Sequence, residues 1–460
     1  MSPKMKQLFP ILLLILKCCT ASFDLSDIPG DYCASRVKKC CPNRDDGCSV
    51  PLLGSLCYCD QFCDRKQNDD CCPDFLPVCR NISRPSPPPS PIKRCWYKGK
   101  YYDVGEIVSI NCNDCKCLEM GPKMEIICEQ DACIIDSELL QLVNRDRNQG
   151  WLAGNYSEFW GKKLERGLAQ RLGTLHSRRK VLMMKPINSY TNPDKLPKSY
   201  DLRTELRGGI TPPLDQGWCG SSWAMSTVGV VNDRLFVISS GEDSTKLSPQ
   251  HLLSCNLKNQ RGCSGGHLTR AWKFIQKFGL VPEECYPWLG GMLESCPISK
   301  NRNKDHVMAR CVSGRPPMVL HRTGPAYRIN TEGGIMKEIM TTGSVQATMK
   351  VYHDFFMYKR GIYKCSKISG THRTNYHSVR IVGWGEERQQ RRIVKYWIVA
   401  NSWGQWWGEN GYFRITRGVD ECEIEKFVIG ATVNPVSPDK NPFSMYIPKN
   451  NQISNQISQY

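Results

Sequence analysis

Ten cysteines lie within residues 33–79, and this density restricts the fold of the chain more than any other feature. So short a segment cannot bury enough apolar surface to fold unaided, and cross-links between side chains supply the missing constraint. Zinc ligation by the closely spaced cysteines is the alternative, but the segment contains no histidine, which favours disulfides. We predict a disulfide-bonded domain over residues 29–82 whose connectivity the sequence leaves open. Its cysteines are Cys33, Cys40, Cys41, Cys48, Cys57, Cys59, Cys63, Cys71, Cys72 and Cys79.

The N-terminus predicts export from the cell. Lys4 and Lys6 precede an apolar run at 8–16, and a small-residue cleavage site ending at Ala21 follows it. This is the pattern of a secretory signal peptide over residues 1–21, which is too short to span a bilayer. Its removal leaves 24 of the 26 cysteines, an even number that suits complete pairing in an oxidising compartment. We therefore expect a secreted protein without a membrane span.

Two further segments follow the first cysteine group. Five prolines mark residues 83–94 as an extended linker, and six cysteines form a second group over residues 95–133. The spacing of Cys112 and Cys115 also suits a redox pair, but no βαβ pattern surrounds it, so we interpret the second group as a small disulfide-rich module.

The chain then changes character over residues 134–195, where cysteines are absent and helix-forming residues return. Asn155 in this segment begins a glycosylation sequon, as does Asn81 before the linker, and both sequons suit an exposed secreted surface. At the other end of the chain, residues 435–460 are rich in Asn, Ser, Gln and Pro, which predicts a disordered tail.

Residues 216–223 read Gln-Gly-Trp-Cys-Gly-Ser-Ser-Trp and open a segment with helical periodicity. The apolar residues from Ala224 to Ile238 recur at spacings of four and three, which predicts a helix with one buried face. Ser222 lies in its first turn, where free backbone N–H groups and the helix dipole favour a developing negative charge. Gln216, a few residues upstream, is placed to lend its side-chain amide to the same oxyanion.

This segment resembles the active-site motif of papain-like cysteine peptidases, except that Ser222 stands where the family has its nucleophilic cysteine. Residues 376–378, Tyr-His-Ser, resemble the family's histidine motif, and residues 400–404 resemble the motif whose asparagine orients that histidine. The resemblance implies that His377 and Asn401 complete the catalytic group with Ser222.

The resemblance covers residues 196–434 and implies an α+β fold with two lobes and a cleft between them. The first half is predicted helical, and the second half has alternating and apolar strands, as over Val345–Val351. Cys219 and Cys263 match a disulfide common in the family. No cofactor or metal ion is expected.

The preceding segments carry resemblances of their own. The first cysteine group resembles a somatomedin B domain, which implies a protein-binding module, and the second resembles part of a von Willebrand factor C module. Residues 134–195 resemble the propeptide of cathepsin B, which lies through the active-site cleft and blocks it. The whole arrangement resembles the tubulointerstitial nephritis antigen family, basement-membrane glycoproteins with serine at the nucleophile position.

Serine at position 222 changes the chemistry that the cleft can perform. Papain-type catalysis depends on a thiolate–imidazolium pair, and a serine hydroxyl is too weak an acid to form the corresponding ion pair at rest. Ser222 would need His377 as a general base, as in serine hydrolases. The favoured hypothesis is therefore a non-catalytic adhesion and scaffold protein. The alternatives are an active hydrolase that uses Ser222 and a regulator that captures peptides or proteases in the cleft.

In a secreted protein, the net charge of +18 favours anionic extracellular partners. Heparan sulfate and acidic matrix proteins fit this charge, whereas no nucleic-acid motif accompanies it. The family resemblance further implies laminin, type IV collagen and integrins as partners in the basement membrane.

Overall fold

The described residues divide into two units between Lys93 and Arg94. They are seen in a computed structural model, which describes residues 28, 30–65, 70–82, 93–121, 123–146, 148–175, 184, 186–187, 191–292, 295–298, 300–302, 307–312, 314, 318–365, 374–389 and 392–434. Three predicted segments fall wholly or mostly outside these residues, namely the signal peptide at 1–21, the linker at 83–94 and the tail at 435–460.

The first unit is a small disulfide-bonded domain. It contains a hairpin of strands β1 (Ser49–Leu52) and β2 (Ser55–Tyr58), a 3-10 helix at Gln61–Asp64 and a short helix α1 (Phe75–Cys79). Five disulfides form its centre, which settles the connectivity that the sequence left open. They are Cys33–Cys59, Cys40–Cys79, Cys41–Cys48, Cys57–Cys72 and Cys63–Cys71.

The second unit begins with two small antiparallel sheets. The first is a hairpin of β3 (Arg94–Tyr97) and β4 (Lys100–Asp103), and the second contains β5 (Ile107–Ile110), β6 (Asn113–Met120) and β7 (Lys123–Cys128). Their disulfides are Cys95–Cys117, Cys112–Cys133 and Cys115–Cys128, so Cys112 and Cys115 do not form a redox pair with each other.

The segment that resembles a propeptide follows without a break. It contains α2 (Ser137–Arg145), β8 (Trp151–Ala153), α3 (Leu164–Gln170), β9 (Pro186–Ile187) and a 3-10 helix at Pro193–Lys195. Its apolar side chains are buried in the same core as the strands of the peptidase-like region. The buried members from this segment are Ile134, Ile135, Leu139, Val143, Trp151, Ala153, Phe159, Leu164, Leu168 and Leu172.

The first lobe of the peptidase-like region is mainly helical. It begins with β10 (Tyr200–Asp201) and α4 (Leu202–Glu205), which are followed by the helices α5 (Ser222–Ile238), α6 (Pro249–Cys255) and α7 (Leu268–Phe278). The lobe ends with a small sheet of β11 (Lys300–Arg302), β12 (Val307–Ala309) and β13 (Met318–Val319). The prediction that α5 buries a single face was wrong. Every residue from Ser222 to Leu235 is buried, whereas Ile238, predicted on the buried face, is exposed. The helix lies between its neighbours in both lobes and therefore has no solvent face over most of its length.

The second lobe is built on a large mixed sheet. Its elements are β14 (Thr323–Ile329), α8 (Glu332–Thr342), β15 (Val345–Val351), a 3-10 helix at His353–Met357, β16 (Tyr358–Tyr363), β17 (Asn375–Gln389), β18 (Arg392–Ala400), β19 (Tyr412–Thr416), a 3-10 helix at Glu421–Glu423 and β20 (Val428–Val433). The strand order is β8-β16-β19-β18-β17-β15-β20-β14-β9, with β10 also paired to β17. Both edge strands, β8 and β9, therefore come from the propeptide-like segment.

These observations confirm the predicted α+β fold, with one helical lobe, one stranded lobe and disulfide-rich modules before them. The remaining disulfides are Cys219–Cys263, Cys255–Cys296, Cys285–Cys311 and Cys365–Cys422, so all 24 cysteines outside the predicted signal peptide are paired. In the part of the chain that the structure describes, we find no helix with the length and hydrophobicity needed to cross a membrane.

Candidate active site

Ser222 is the first residue of α5 and is fully buried. The loop before it is held by the disulfide from Cys219 to Cys263 and by the hydrogen bond from the Gly220 N–H to the Cys263 carbonyl, at 2.7 Å. The Ser222 hydroxyl oxygen lies 3.1 Å from the Thr174 hydroxyl and accepts a long hydrogen bond of 3.4 Å from the Ser378 N–H. The hydroxyl group is therefore engaged by the propeptide-like segment and by the backbone of β17.

His377 lies on β17 beside Asn401, which follows β18. The Nε2 atom of His377 is 2.7 Å from Oδ1 of Asn401, and that oxygen also accepts a hydrogen bond of 2.7 Å from the Ser402 N–H. Because an amide oxygen only accepts, Nε2 carries a proton and donates it to Asn401. The indole of Trp403 covers the imidazole, with ring centroids 5.3 Å apart. The structure thus brings together the histidine and asparagine that the sequence motifs indicated.

The imidazole of His377 is neutral at ordinary pH. Burial lowers its pKa from 6.5 to about 4, against the opposing effect of the hydrogen bond to Asn401. With Nε2 protonated, the neutral ring leaves Nδ1 as an acceptor, and Nδ1 has no hydrogen-bond partner among the described residues. Ser222 and His377 are therefore not joined by the hydrogen bond that would activate a serine nucleophile. Neither member of the resting ion pair of a cysteine peptidase is present.

Gln216 and the backbone N–H of Ser222 converge on one oxygen atom. The Nε2 atom of Gln216 donates to the carbonyl oxygens of Cys219, at 2.8 Å, and Leu172, at 3.3 Å. The Ser222 N–H donates to the same Leu172 oxygen at 3.3 Å. A side-chain amide and a helix N-terminal N–H aimed at one point are the donors that stabilise an oxyanion. Here a carbonyl group of the chain itself occupies that point.

The residues after Leu172 continue through the cleft. The carbonyl oxygen of Gly173 accepts from the Gly266 N–H at 2.9 Å, and the Thr174 N–H donates to the Tyr376 carbonyl at 3.2 Å. Gly173 has φ +108°, and a Cβ atom there would lie 1.9 Å from the carbonyl oxygen of Gly220. Only glycine allows so close an approach, since any side chain would collide with the opposite backbone.

Arg171 anchors the segment just before the cleft. Its guanidinium is buried and forms ion pairs with Asp215 at 2.9 Å and Glu158 at 2.8 Å. Burial lowers the pKa of Arg171, although both carboxylates oppose this effect. The guanidinium also lies over the ring of Trp218, 4.6 Å from its centroid, so charge and stacking act together.

Phe159 provides a second anchor and is fully buried. Its ring lies edge-on to aromatic rings of the peptidase-like region, with centroid distances of 5.6 Å to Phe356, 5.8 Å to Trp403 and 5.2 Å to Trp406. The sequence reasoning identified neither Phe159 nor Arg171. The sequence signal that could have indicated them is the group of tryptophans after Asn401, because these large apolar side chains need packing partners.

Cys219 and Cys263 form their disulfide beside the cleft, and the other predicted disulfide cysteines pair with one another within the first unit. Asn81 and Asn155 are both exposed, as a glycosylation sequon requires, and Asn155 lies within the propeptide-like segment. Among the described residues, each cluster of side chains with metal-ligating atoms includes disulfide-bonded cysteines, whose sulfur atoms cannot become thiolate ligands.

Comparison with known proteins adds four findings. The family described as papain family cysteine protease matches residues 196–432. The chain is 42% identical over 424 residues to tubulointerstitial nephritis antigen-like from Mus musculus, covering 88% of this chain and 89% of that protein. It is 40% identical over 430 residues to tubulointerstitial nephritis antigen from Homo sapiens, covering 89% of both proteins. Among solved structures, proCathepsin B S9 from Trypanosoma congolense has a TM-score of 0.55 and 26% identity, covering 66% of this chain and all of that one.

Proposed function

Because the chain belongs to the tubulointerstitial nephritis antigen family and contains a papain-family peptidase domain, we propose that it is a secreted matrix glycoprotein without catalytic activity. Its peptidase domain serves as a scaffold, and its function is adhesion within the extracellular matrix, in particular the basement membrane.

One observation carries the loss of catalysis. The oxyanion position beside Ser222 is filled by the carbonyl oxygen of Leu172, and the Ser222 hydroxyl contacts Thr174 rather than His377. Substrate would have to displace this segment before its carbonyl could approach the nucleophile. Even then, a hydroxyl beside a neutral imidazole lacks the charged nucleophile that papain-type chemistry requires.

The packing of the propeptide-like segment supports a permanent structural role. A removable inhibitor would leave the mature core complete, whereas this segment contributes both edge strands of the large sheet and ten core side chains. It also joins the small module to the peptidase-like region. Lys163 pairs with Glu129 and Asp131 of that module, at 3.2 and 2.5 Å, and the Leu164 N–H donates to the Ala132 carbonyl at 2.7 Å.

The matrix role is supported by the resemblance of the disulfide-rich modules to extracellular binding modules and by complete cysteine pairing. The family resemblance suggests laminin, type IV collagen and integrins as partners. The occupied cleft does not favour the hydrolase and capture alternatives, and the absence of a hydrogen bond between Ser222 and His377 further disfavours the hydrolase. The experiments below distinguish these alternatives.

The catalytic proposal is tested with substitutions at Gly173 and Ser222, assayed on a fluorogenic peptide library. Gly173→Ala should open the cleft, because its new methyl group collides with Gly220. We expect no turnover by the wild type or by Gly173→Ala, and measurable turnover by the double variant Gly173→Ala/Ser222→Cys. Turnover by Gly173→Ala that disappears in Gly173→Ala/Ser222→Ala would establish the hydrolase alternative. Peptide binding without turnover by the wild type would instead favour the capture alternative.

The adhesion proposal is tested with a solid-phase panel of laminin, type IV collagen and integrin ectodomains. The full chain is compared with a chain that lacks residues 22–93, which include the first structural unit, and with Ser222→Ala as a matched point variant. We expect at least one matrix protein to bind the full chain and the Ser222→Ala variant equally. Absence of binding to every member of the panel would contradict the adhesion proposal and leave the catalytic one unaffected.

A further inference from the structure

Part of the helical lobe is rich in lysine and arginine residues that the candidate active site does not use. Between Ser244 and Pro282, the sequence contains six lysine or arginine residues and no aspartate or glutamate. A stretch of that length with charge of one sign only is unusual on a soluble surface, where both signs are normally mixed. The positions of these residues in the fold show where the charge accumulates.

Helix α7 separates its apolar and basic residues onto opposite faces. The residues that face the core are Leu268, Ala271, Trp272 and Ile275, all of them buried. Arg270, Lys273 and Lys277 follow one another at spacings of three and four, so their side chains form one stripe on the other side of the helix. At a rise of about 1.5 Å per residue, the stripe extends for about 10 Å along the helix.

The loop before α7 adds to the start of this stripe. The guanidinium of Arg270 donates to the carbonyl oxygen of Lys258 at 3.4 Å, which places both residues at one end of the helix. Burial lowers the pKa of His267, and the nearby positive charges of Arg270 and Arg261 lower it further. Two guanidinium groups are therefore close enough to act on the same imidazole.

The segment after α7 adds a basic residue at the other end. Gly279 ends the helix, and the side chain of Arg322 packs beside it, so that a Cβ atom on Gly279 would lie 3.1 Å from Cγ of Arg322. We call this surface the basic face and define it as Lys258, Arg261, Arg270, Lys273, Lys277 and Arg322.

Three members of the basic face form no ion pair within the described part of the chain. Over the described residues, carboxylates form ion pairs with Arg234, Arg380, Arg414 and Arg417 in this unit, but no ion pair involves Arg261, Arg270 or Lys277. Holding like charges together without counter-charges costs free energy, and binding of an external polyanion would recover it. Its length along the helix suits a linear ligand with repeated negative charges better than a single anion.

We propose that the basic face binds a sulfated glycosaminoglycan of the heparan sulfate class. The proposal builds on the matrix role inferred above and names a ligand class and a surface for it. Sulfate and carboxylate groups repeat along such a chain, and lysine and arginine side chains at both ends and along the middle of α7 can engage several of them together. The Ser222 cleft takes no part in this interaction.

The test uses the full secreted chain, heparin as the probe and two matched triple variants. Arg270→Ala/Lys273→Ala/Lys277→Ala removes the central stripe while keeping a good helix former at each position. The control, Lys116→Ala/Lys123→Ala/Lys337→Ala, removes three exposed lysines at other sites and so lowers the net charge equally. Thermal unfolding and circular dichroism verify that both variants remain folded.

We expect the stripe variant to elute from a heparin column at lower salt than the wild type and the control. Its heparin affinity should fall at least tenfold, and the slope of log affinity against log salt should decrease by about two to three, as counterion release predicts. Fully desulfated heparin should bind the wild type at least tenfold more weakly than heparin does.

Equal loss of affinity in both variants would overturn the assignment, because it would mean that net charge alone determines binding. Unchanged affinity of the stripe variant would overturn it as well, as would tighter binding of a DNA oligonucleotide of equal charge. Each of these results leaves the laminin and collagen panel unaffected, so failure of this inference is distinguishable from failure of the adhesion proposal.

Discussion

Replacing Phe159 by alanine should loosen the propeptide-like segment without unfolding the protein. The ring is fully buried and has five aromatic neighbours with centroids between 5.2 and 6.2 Å away. Replacing a buried phenylalanine by alanine typically costs about 3–5 kcal/mol, because apolar contact is lost and a cavity remains. If the segment opens as one unit, its opening equilibrium should increase by about 100-fold to 5,000-fold.

Hydrogen exchange measured by mass spectrometry reports this opening directly. The Gly154 N–H, which donates to the Met357 carbonyl at 2.7 Å, reports on the segment itself. The Gly266 N–H, which donates to the Gly173 carbonyl, reports on the cleft. Both amides should exchange faster in Phe159→Ala by the factor given above.

Phe427→Ala provides the matched control, since Phe427 packs against the core of the helical lobe instead. Exchange at Gly154 should then stay within a few-fold of the wild type. An increase of less than tenfold in Phe159→Ala would refute the reasoning that this segment is a permanent part of the core. Rapid exchange of the segment in the wild type would refute it equally.

Three further predictions concern other contacts in the second unit. Burial lowers the pKa of His377 to about 4, so the unfolded state binds a proton at a higher pH than the folded state does. Lowering the pH from 6.5 to 4 should therefore reduce the free energy of unfolding by up to about 3 kcal/mol. Denaturant unfolding of the wild type and His377→Gln over this range checks it, and an equally steep decline in the variant would count against it. Arg171→Lys keeps the charge but loses the fork that binds Asp215 and Glu158 through separate nitrogens, and it loses the stacking on Trp218. Exchange in the propeptide-like segment should therefore accelerate about tenfold, and an unchanged rate would contradict this. Replacing Cys112 and Cys133 together by serine should destabilise the small module by about 3 kcal/mol, measured as a lower unfolding midpoint; an unchanged midpoint would show that packing alone holds it.

Much of the fold could be predicted because the relevant signals are local in the sequence. Helix α6 is capped by Ser248, whose hydroxyl accepts from the His251 N–H at 2.9 Å, and α7 ends where Gly279 adopts φ +76°. Val345–Val351 forms a strand as its alternation indicates. Caps, glycine stops and periodicity act within a few residues, so they can be identified without knowledge of the partners of each segment.

The helix that begins at Ser222 shows the limit of this reasoning. Its apolar period of three to four predicts one buried face, but burial on every side depends on elements from both lobes, some of them more than a hundred residues away in the chain. The hydrogen bond from Gln346 Nε2 to the Ser226 hydroxyl, at 2.8 Å, satisfies a polar residue on the side that the pattern assigned to solvent. Such partners are set by tertiary packing and leave no periodic signal.

The sequence by itself determined that the nucleophile position holds oxygen instead of sulfur, that histidine and asparagine accompany it, and that the cysteines form disulfides. Only the tertiary structure decided what the cleft contains. Leu172 and Ser222 are separated by 50 positions, and the carbonyl of one reaches the oxyanion position of the other because Arg171 and Phe159 contact partners in the peptidase-like region. Contacts between such distant residues depend on how whole elements pack against one another, and this packing cannot be predicted from any local property of the sequence.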